Sequence, residues 1–444
     1  LESTLDFNSK DMKNIKIYIT ILALVAIGCE DFLEKAPYDI ITDNIVVANA
    51  KDAETVLLGA YSALQSAEAY GNQSIGDPGV LSDELVHTGS FPTVAEMDNN
   101  AVLSNNVTIQ NLWEAYYDGI YITNVVIERV ELIEIDPTLK NQLIGEAKFL
   151  RALMHFDLLK LFGGLPYAET TDLVTLRSLD RTSAETIYAS LIAELTESIT
   201  LLSGVDHGNN KRANDWVAKA LLARVQLYSG NKTQAGIIAN DIIQNGPYSL
   251  EVNYADVFKG NSDEAIFEVF FSVQDQSSTA FFFRTDGRYE YGPSPQIRAA
   301  FEVGDDRAAM VTPVGDGRFQ VAKYTDRATG TDQSIVLRLA DMYLIRAEAN
   351  IGSTSADDDV NTIRNRSGLG DISGVDIDDI LQERFVELCF EGHRWNDLIR
   401  TGKVNAVMSV INPSSWQSTD ALLPIPQREI QQNPVLVGKQ NPGY

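Results

Sequence analysis

The sequence predicts a mostly α-helical fold of stacked helix pairs, interrupted by an irregular, partly β insertion. Three observations predict it. Apolar residues recur at three- and four-residue spacing through much of 50–247 and again over 334–400, as in helices that bury one face. Between those regions, residues 248–333 carry short apolar bursts divided by Gly- and Pro-containing turns. The chain has 444 residues, 44% hydrophobic and 22% charged, which is an ordinary globular balance with ample material for a core.

Residues 1–11 differ in character from the rest of the chain and carry no structural expectation. From Met12, Lys13 and Lys16 precede an apolar run from Ile17 to Ile27, then Gly28 and Cys29. A basic segment, a short apolar stretch and a small residue before the cut read as a signal peptide over 12–28, too short to span a bilayer. Val25-Ala26-Ile27-Gly28-Cys29 is also similar to a bacterial lipoprotein box. Cys29 is therefore the expected lipidation site, and acyl chains would hold residues 29–444 to a membrane; the alternative is a plain signal or a buried cysteine. Cys389 is then left without an internal disulfide partner and is expected to be a small buried hydrophobe.

Residues 30–50, with Pro37, read as a tether onto one domain that runs to residue 444. A helix over about 52–68 follows from Ala53, Val56, Leu57, Ala60, Tyr61 and Leu64, with Asp52 at its start. The polar stretch 71–106 is too long for an ordinary connection, so it is expected to be functional or mobile. Leu112, Trp113, Tyr116, Ile120, Val125 and Val126 predict a helix over 108–131. The next helix, 139–162, is stopped by Gly163-Gly164. Amphipathic segments at 183–202, 213–229 and 234–244 come next, the last two with the alternating small and large residues of a tetratricopeptide-like hairpin. In the insertion, 265–271 and 319–324 read as extended pieces. Helices are expected at 334–350, 356–366 and 376–399, before an irregular, proline-punctuated tail over 401–444.

A formal charge of −27 argues against nucleic acid or an anionic lipid surface as the main partner, because both need basic patches. Glu383 and Glu387 lie one helical turn apart and read as facing solvent or pairing with Arg384 and Arg394, not as a catalytic pair. His87, His155, His207 and His393 are widely separated and form no metal-ligand motif. There is no Gly-x-Ser-x-Gly elbow and no phosphate-binding glycine loop. The acidic runs 357–359 and 376–379 are helix starts, where exposed amides favour carboxylates. No catalytic centre, metal or cofactor is expected.

What remains is aromatic surface. Sugars present flat C–H patches edged by hydroxyls, so their sites need ring faces beside hydrogen-bonding groups. Phe281-Phe282-Phe283-Arg284 and Arg288-Tyr289-Glu290-Tyr291-Gly292-Pro293 interleave the two. The expected platform takes Phe283, Arg288, Tyr289 and Tyr291 from this stretch and Tyr70 and Phe91 from the 70–91 segment, where Asn72, Gln73, Asp77 and His87 also lie. Each ring has a competing interior role, since three consecutive phenylalanines place at least one in the core. Trp113, Trp216 and Trp395 read as core; Trp416, among Pro413, Ser414, Ser415 and Gln417, reads as more exposed and joins the candidates.

Tyr343-Leu344-Ile345-Arg346-Ala347-Glu348, Asn361-Thr362-Ile363-Arg364-Asn365-Arg366, Glu391-Gly392-His393-Arg394-Trp395-Asn396-Asp397 and Leu423-Pro424-Ile425-Pro426 run in order to the closing Asn441-Pro442-Gly443-Tyr444. With Phe162-Gly163-Gly164-Leu165-Pro166 they resemble the SusD/RagB family of nutrient-uptake outer-membrane lipoproteins. From the residues alone these segments are scaffold, with Arg346 and Glu348 placed for helix-to-helix ion pairs. The resemblance implies four tetratricopeptide-like helix pairs, a cell-surface location on the outer membrane, and no enzymatic activity. It also implies a SusC-like TonB-dependent barrel as partner and oligosaccharide or polysaccharide as ligand. The family's glycan platforms use loops that vary between members, so no individual binding residue is carried over. This chain is short of loop tryptophans, which leaves open uptake of a non-glycan nutrient such as peptide, or a purely structural role beside the transporter.

Overall fold

Side-chain caps start many of the scaffold helices. In the computed structural model, which describes residues 47–444, the Asn49 side chain accepts the Asp52 amide at 3.1 Å to open α1 (Ala50–Ala63). Asn106 caps α2 (Val107–Val130), Asp136 caps α3 (Pro137–Phe162) ahead of a first-turn proline, Ser183 caps α4 (Ala184–Leu201) and Asn214 caps α5 (Asp215–Tyr228). Each supplies an oxygen to amides that have no partner inside the helix. Next come α6 (Lys232–Asn245), α7 (Leu339–Ala349) and α8 (Thr354–Arg366), then α9 (Ile377–Glu387), which opens on a capping box of Asp376 and Asp379. The α3 helix stops at Gly163, whose φ of 69° suits a residue without Cβ.

From α1 to α8 every helix packs on its successor, so the chain winds as four consecutive helix pairs. At the α6–α7 crossing, a Cβ on Gly236 would stand 2.5 Å from the Ala349 Cβ. Two backbones approach there to a distance that only glycine permits. Residues Asn49–Tyr444 form one compact unit; the expected signal peptide and Cys29 lie outside the described residues.

Among the described residues, four two-stranded antiparallel ribbons complete the fold: β1 (Leu85–His87) with β5 (Tyr291–Pro293), β2 (Leu165–Pro166) with β3 (Arg181–Thr182), β4 (Ala265–Val269) with β8 (Ser334–Arg338), and β6 (Val311–Pro313) with β7 (Phe319–Val321). The β8 strand corrects the helix expected from residue 334, because Ser-Ile-Val-Leu-Arg is held by β4 and the helix begins only at Leu339. The polar 71–106 stretch is not a loose loop. It forms the helices Gln73–Leu81 and Pro92–Asp98 around β1, with Ile75, Val80, Leu81, Leu85, Val94 and Met97 buried. The expected helix 376–399 is broken: α9 ends at Glu387 and the next helix, Arg394–Arg400, starts after Phe390 and Gly392 adopt φ of 61° and 78°.

That break lies against a buried charge network. Arg307 in the insertion, wholly buried, meets Glu383 at 2.5 Å and Glu387 at 3.1 Å from α9 and Asp305 beside it at 2.8 Å. Arg338, ending β8, reaches Glu264 at 2.7 Å, Glu387 at 2.6 Å and Glu391 at 2.8 Å. Arg366, ending α8, pairs with Glu264 and Glu387, and Lys323 of the insertion pairs with Glu391 at 2.8 Å. Burial opposes ionisation of Glu387, but Arg366, Arg338 and Arg307 outweigh it and hold the carboxyl far below the usual range. Glu383 and Glu387 thus face neither solvent nor Arg384 and Arg394, as the sequence had suggested. Arg384 pairs with Asp341 and Asp397 at 2.7 and 2.8 Å, and Arg394 with Asp83 at 2.7 Å. Arg346 does join two helices, at 2.6 Å from Asp359.

Carbonyls left open by the end of α9 are met from the insertion and β8. Glu387 O accepts from the Tyr254 hydroxyl at 2.5 Å and from Arg338 at 2.6 Å, Cys389 O from Lys323 at 2.6 Å, and Phe390 O from Tyr324 at 2.9 Å. Cys389 itself is buried and unbonded to sulfur, and burial pushes its thiol up to about 12, so it packs as a hydrophobe.

Two expectations can be measured. Truncating Arg338→Met leaves Glu264, Glu387 and Glu391 buried with less compensation, so urea unfolding should show a loss of about 3–5 kcal/mol; a loss under about 1 kcal/mol would mean that the network is dispensable. The second concerns Asp77 and Glu84, both 1% exposed, whose carboxyls burial pushes up to about 7 and about 8. Their folded-state values lie above the unfolded ones. The stability they contribute is whole below about pH 4 and is lost as pH rises to about 8, at about 1.4 kcal/mol per unit of displacement. The double variant Asp77→Asn, Glu84→Gln should therefore gain on the wild type by several kcal/mol between about pH 5 and about pH 8, and parallel pH profiles would refute the assignment.

Candidate functional site

The ribbon of β1 and β5 brings the 70–91 segment and the 281–291 stretch together, pairing Leu85 with Pro293, Val86 with Gly292 and His87 with Tyr291. Around it the three phenylalanines of the helical turn Thr279–Phe283 divide. Phe283 points inward and is fully buried, its ring 5.2 Å from Tyr291, while Phe281 is 41% exposed and Phe282 half-buried. The outward pair stand edge to face with centroids 5.3 Å apart, and Phe91, 36% exposed, lies 6.2 Å from Phe282. The guanidinium carbon of Arg288 sits 3.9 Å from the Phe91 ring centre, a cation–π contact. Phe91, Phe281, Phe282 and Arg288 therefore make one exposed cluster.

Glu290 fixes this cluster from beneath. Its carboxylate accepts from the amides of Ser90 at 3.0 Å and Phe91 at 3.2 Å, from Arg288 Nε at 2.8 Å, and contacts His87 Nε2 at 3.1 Å. A Cβ on Gly89 would overlap that carboxyl, so only glycine lets the loop fold over it. Burial pushes Glu290 up, but the Phe91 and Ser90 amides and Arg288 prevail and hold it below the usual range. It is an anion with its oxygens occupied, and its work is to orient Phe91 and Arg288.

The remaining expected residues stand elsewhere, and their burial corrects the surface role given to several. Tyr291 is 2% exposed and donates to Asp77 at 3.1 Å. Tyr70 is buried with its hydroxyl 2.6 Å from Asp157. Tyr289, at a φ of 54°, is largely buried; its hydroxyl donates to Phe319 O and its ring lies 5.3 Å from the Arg318 guanidinium. A buried phenol needs a hydrogen-bond partner, and each of these three has found one inside the protein. Trp416 is half-buried, edge-on to Trp395 at 6.1 Å and donating to Asn405 at 3.2 Å. Trp113 and Trp395 are core; Trp216 is half-buried, with Lys219 Nζ 3.9 Å from its ring centre. Reasoning from sequence passed over the outward pair, Phe281 and Phe282, in favour of Phe283, and missed Glu290 as the organising group. The signal available was the short turn itself, which cannot bury three consecutive rings on one face.

Among the described residues, no group of three or more His, Cys, Asp or Glu side chains is placed to hold a metal ion, and no helix is long and apolar enough to cross a membrane.

Two family profiles match the chain, one described as the SusD family over residues 310–444 and one as starch-binding associating with outer membrane over residues 31–227. SusD-like protein P2 of Formosa agariphila is 26% identical, across 98% of this chain and all of the relative. Among solved structures, a laminarin-binding SusD-like protein superimposes with a TM-score of 0.82 at 23% identity, covering 90% of this chain and all of that one. Surface glycan-binding protein A of Bacteroides thetaiotaomicron, in complex with laminarihexaose, gives 0.77 at 20% identity over 88% of this chain and 99% of that one. At these identities the structural likeness is one of fold. The helix pairs, the two profiles spanning both ends of the described chain, and relatives aligned over nearly its whole length converge: the protein belongs to the SusD/RagB family.

Proposed function

We propose that the protein binds oligosaccharide or polysaccharide at the cell surface and passes it to a SusC-like TonB-dependent barrel in the outer membrane. The observation that carries this reading is the exposed cluster of Phe91, Phe281 and Phe282 with Arg288 held over Phe91 by Glu290. Rings at differing tilts offer C–H stacking faces, and a guanidinium offers donors to ring and hydroxyl oxygens. The family consists of non-catalytic binding proteins, and the one carboxylate beneath the cluster is occupied by its own donors. Two structural relatives that take laminarin or laminarihexaose support a glycan as the ligand class. The acyl anchor at Cys29 rests on the basic segment, apolar run and Gly28-Cys29 junction of the sequence, and a family profile described as associating with outer membrane agrees with it.

Calorimetric titration against a panel of oligosaccharides that includes laminarihexaose tests the platform. Phe281→Ala and Phe282→Ala should each lose roughly 1–3 kcal/mol of binding, about tenfold or more in affinity, with little change in melting temperature. Tyr291→Ala should instead lose about 3–5 kcal/mol of stability, as a filled interior position does. Unchanged affinity in both phenylalanine variants would remove the cluster from the binding site. For the anchor, intact-mass analysis of the membrane-extracted protein should find acyl chains on Cys29, and Cys29→Ala should release the protein from the membrane fraction; an unacylated wild-type cysteine would end that part of the proposal.

A further inference from the structure

A second concave site lies between α1 and the β4 strand, and it shares no lining residue with the ring cluster. The cleft holds about 360 Å³ and is lined by residues that include Leu58, Gln65, Lys211, Glu268, Phe270 and Asp275, a size at the lower end of small-ligand sites and suited to one ring more than to a chain. Its rim is apolar and open to solvent, with Leu58 48% and Phe270 43% exposed. The Phe270 backbone is fixed by the Gln65 side chain, which donates to its carbonyl at 2.6 Å, and Lys211 Nζ stands 4.3 Å from the Phe270 ring centre.

Glu268 is the telling member. The residue is 1% exposed, and its Oε1 has no hydrogen-bond partner. An unpartnered buried oxygen costs free energy that a donor from outside would recover. Burial prevails and raises the carboxyl above its usual range, against the Lys211 charge and the Asn210 amide that oppose it. An acceptor-only carboxylate beside an ammonium that only donates makes a matched pair. Vicinal hydroxyls, each able to donate and accept, satisfy both at once; an ammonium, which only donates, or a carboxylate, which only accepts, satisfies one. The exposed ring face supplies the apolar half of the same recognition.

We propose that this cleft is a second binding site, taking a single neutral sugar ring that lies on Phe270 and sets a vicinal diol against Glu268 and Lys211. It goes beyond the platform reading, and its fate is separable from it. Saturation-transfer NMR with methyl glucoside, methyl galactoside and methyl mannoside is the test, run on the wild type and on Phe270→Ala, Glu268→Gln and Phe282→Ala. Transfer to the ring protons of at least one glycoside is expected. It should disappear in Phe270→Ala, fall by about tenfold in affinity in Glu268→Gln, and persist in Phe282→Ala. Glu268→Gln keeps the shape of a position whose orphaned oxygen has no partner to lose, so it decides the matter if Phe270→Ala melts early. No transfer from any of the three glycosides, transfer untouched by both cleft variants, or a soaked crystal with only water on Glu268 Oε1 would overturn the proposal.

Discussion

The charge network around Glu387 is the constraint on which the rest of the architecture depends. Its cations come from the insertion (Arg307, Lys323), from β8 (Arg338) and from the end of α8 (Arg366), and its anions from α9, from the break after it and from the approach to β4. Such a cluster is costly to dehydrate, and a well-packed apolar substitute of the same volume would often be as stable. What it adds here is position. Each guanidinium binds two or three carboxylates at fixed angles, so the insertion meets the helical stack in one register. Three of the four members of the ring cluster, Phe281, Phe282 and Arg288, sit on that insertion, and their placement is inherited from a site they do not touch.

Nearer the surface, buried polar groups that find their partners inside the protein hold the loops in place. Tyr291 reaches Asp77, Tyr70 reaches Asp157, and Glu290 gathers the loop that carries Phe91. The phenols that sequence reasoning placed on the platform are the braces under it. Binding surfaces mounted on short loops need such support, because side chains left to rotate lose on ordering part of what they gain in contact.

Much of the scaffold was legible in the sequence because period and caps agree. The apolar stripe of α2 and the Gly163-Gly164 stop of α3 were both plain in the residues, although α3 starts two residues before the expected Leu139, at Pro137 behind its Asp136 cap. The strand Ser334–Arg338 was not legible, since a run of three apolar residues abutting a helix has no period of its own and is decided by its partner β4, many residues earlier. Nor was the compactness of 71–106, where Asp83 and Asn100 turn inward to Arg394 and Asn412, partners that only the tertiary fold supplies. The two segments singled out in the sequence do meet, in the β1–β5 ribbon, but which rings turn outward was not legible. Phe281, Phe282 and Phe283 are chemically identical, and only their place on one short helical turn distinguishes them.

The carbonyls after α9 bear on how such a chain can be assembled in time. Their donors, Tyr254, Lys323 and Tyr324, lie in the insertion, synthesised well before the residues they cap. A chain that emerges from its amino terminus therefore has an insertion whose ammonium and phenols wait for Glu387, Cys389, Phe390 and Glu391. Contacts spanning that much sequence form late, after loop closure has been met by the helices between. The early helix pairs can stack as they appear, each on its neighbour, while the insertion that carries Phe281, Phe282 and Arg288 stays unfinished until nearly the last tenth of the chain is made. Placement of the ring cluster is thereby tied to completion, and a truncated product would keep its helices without it.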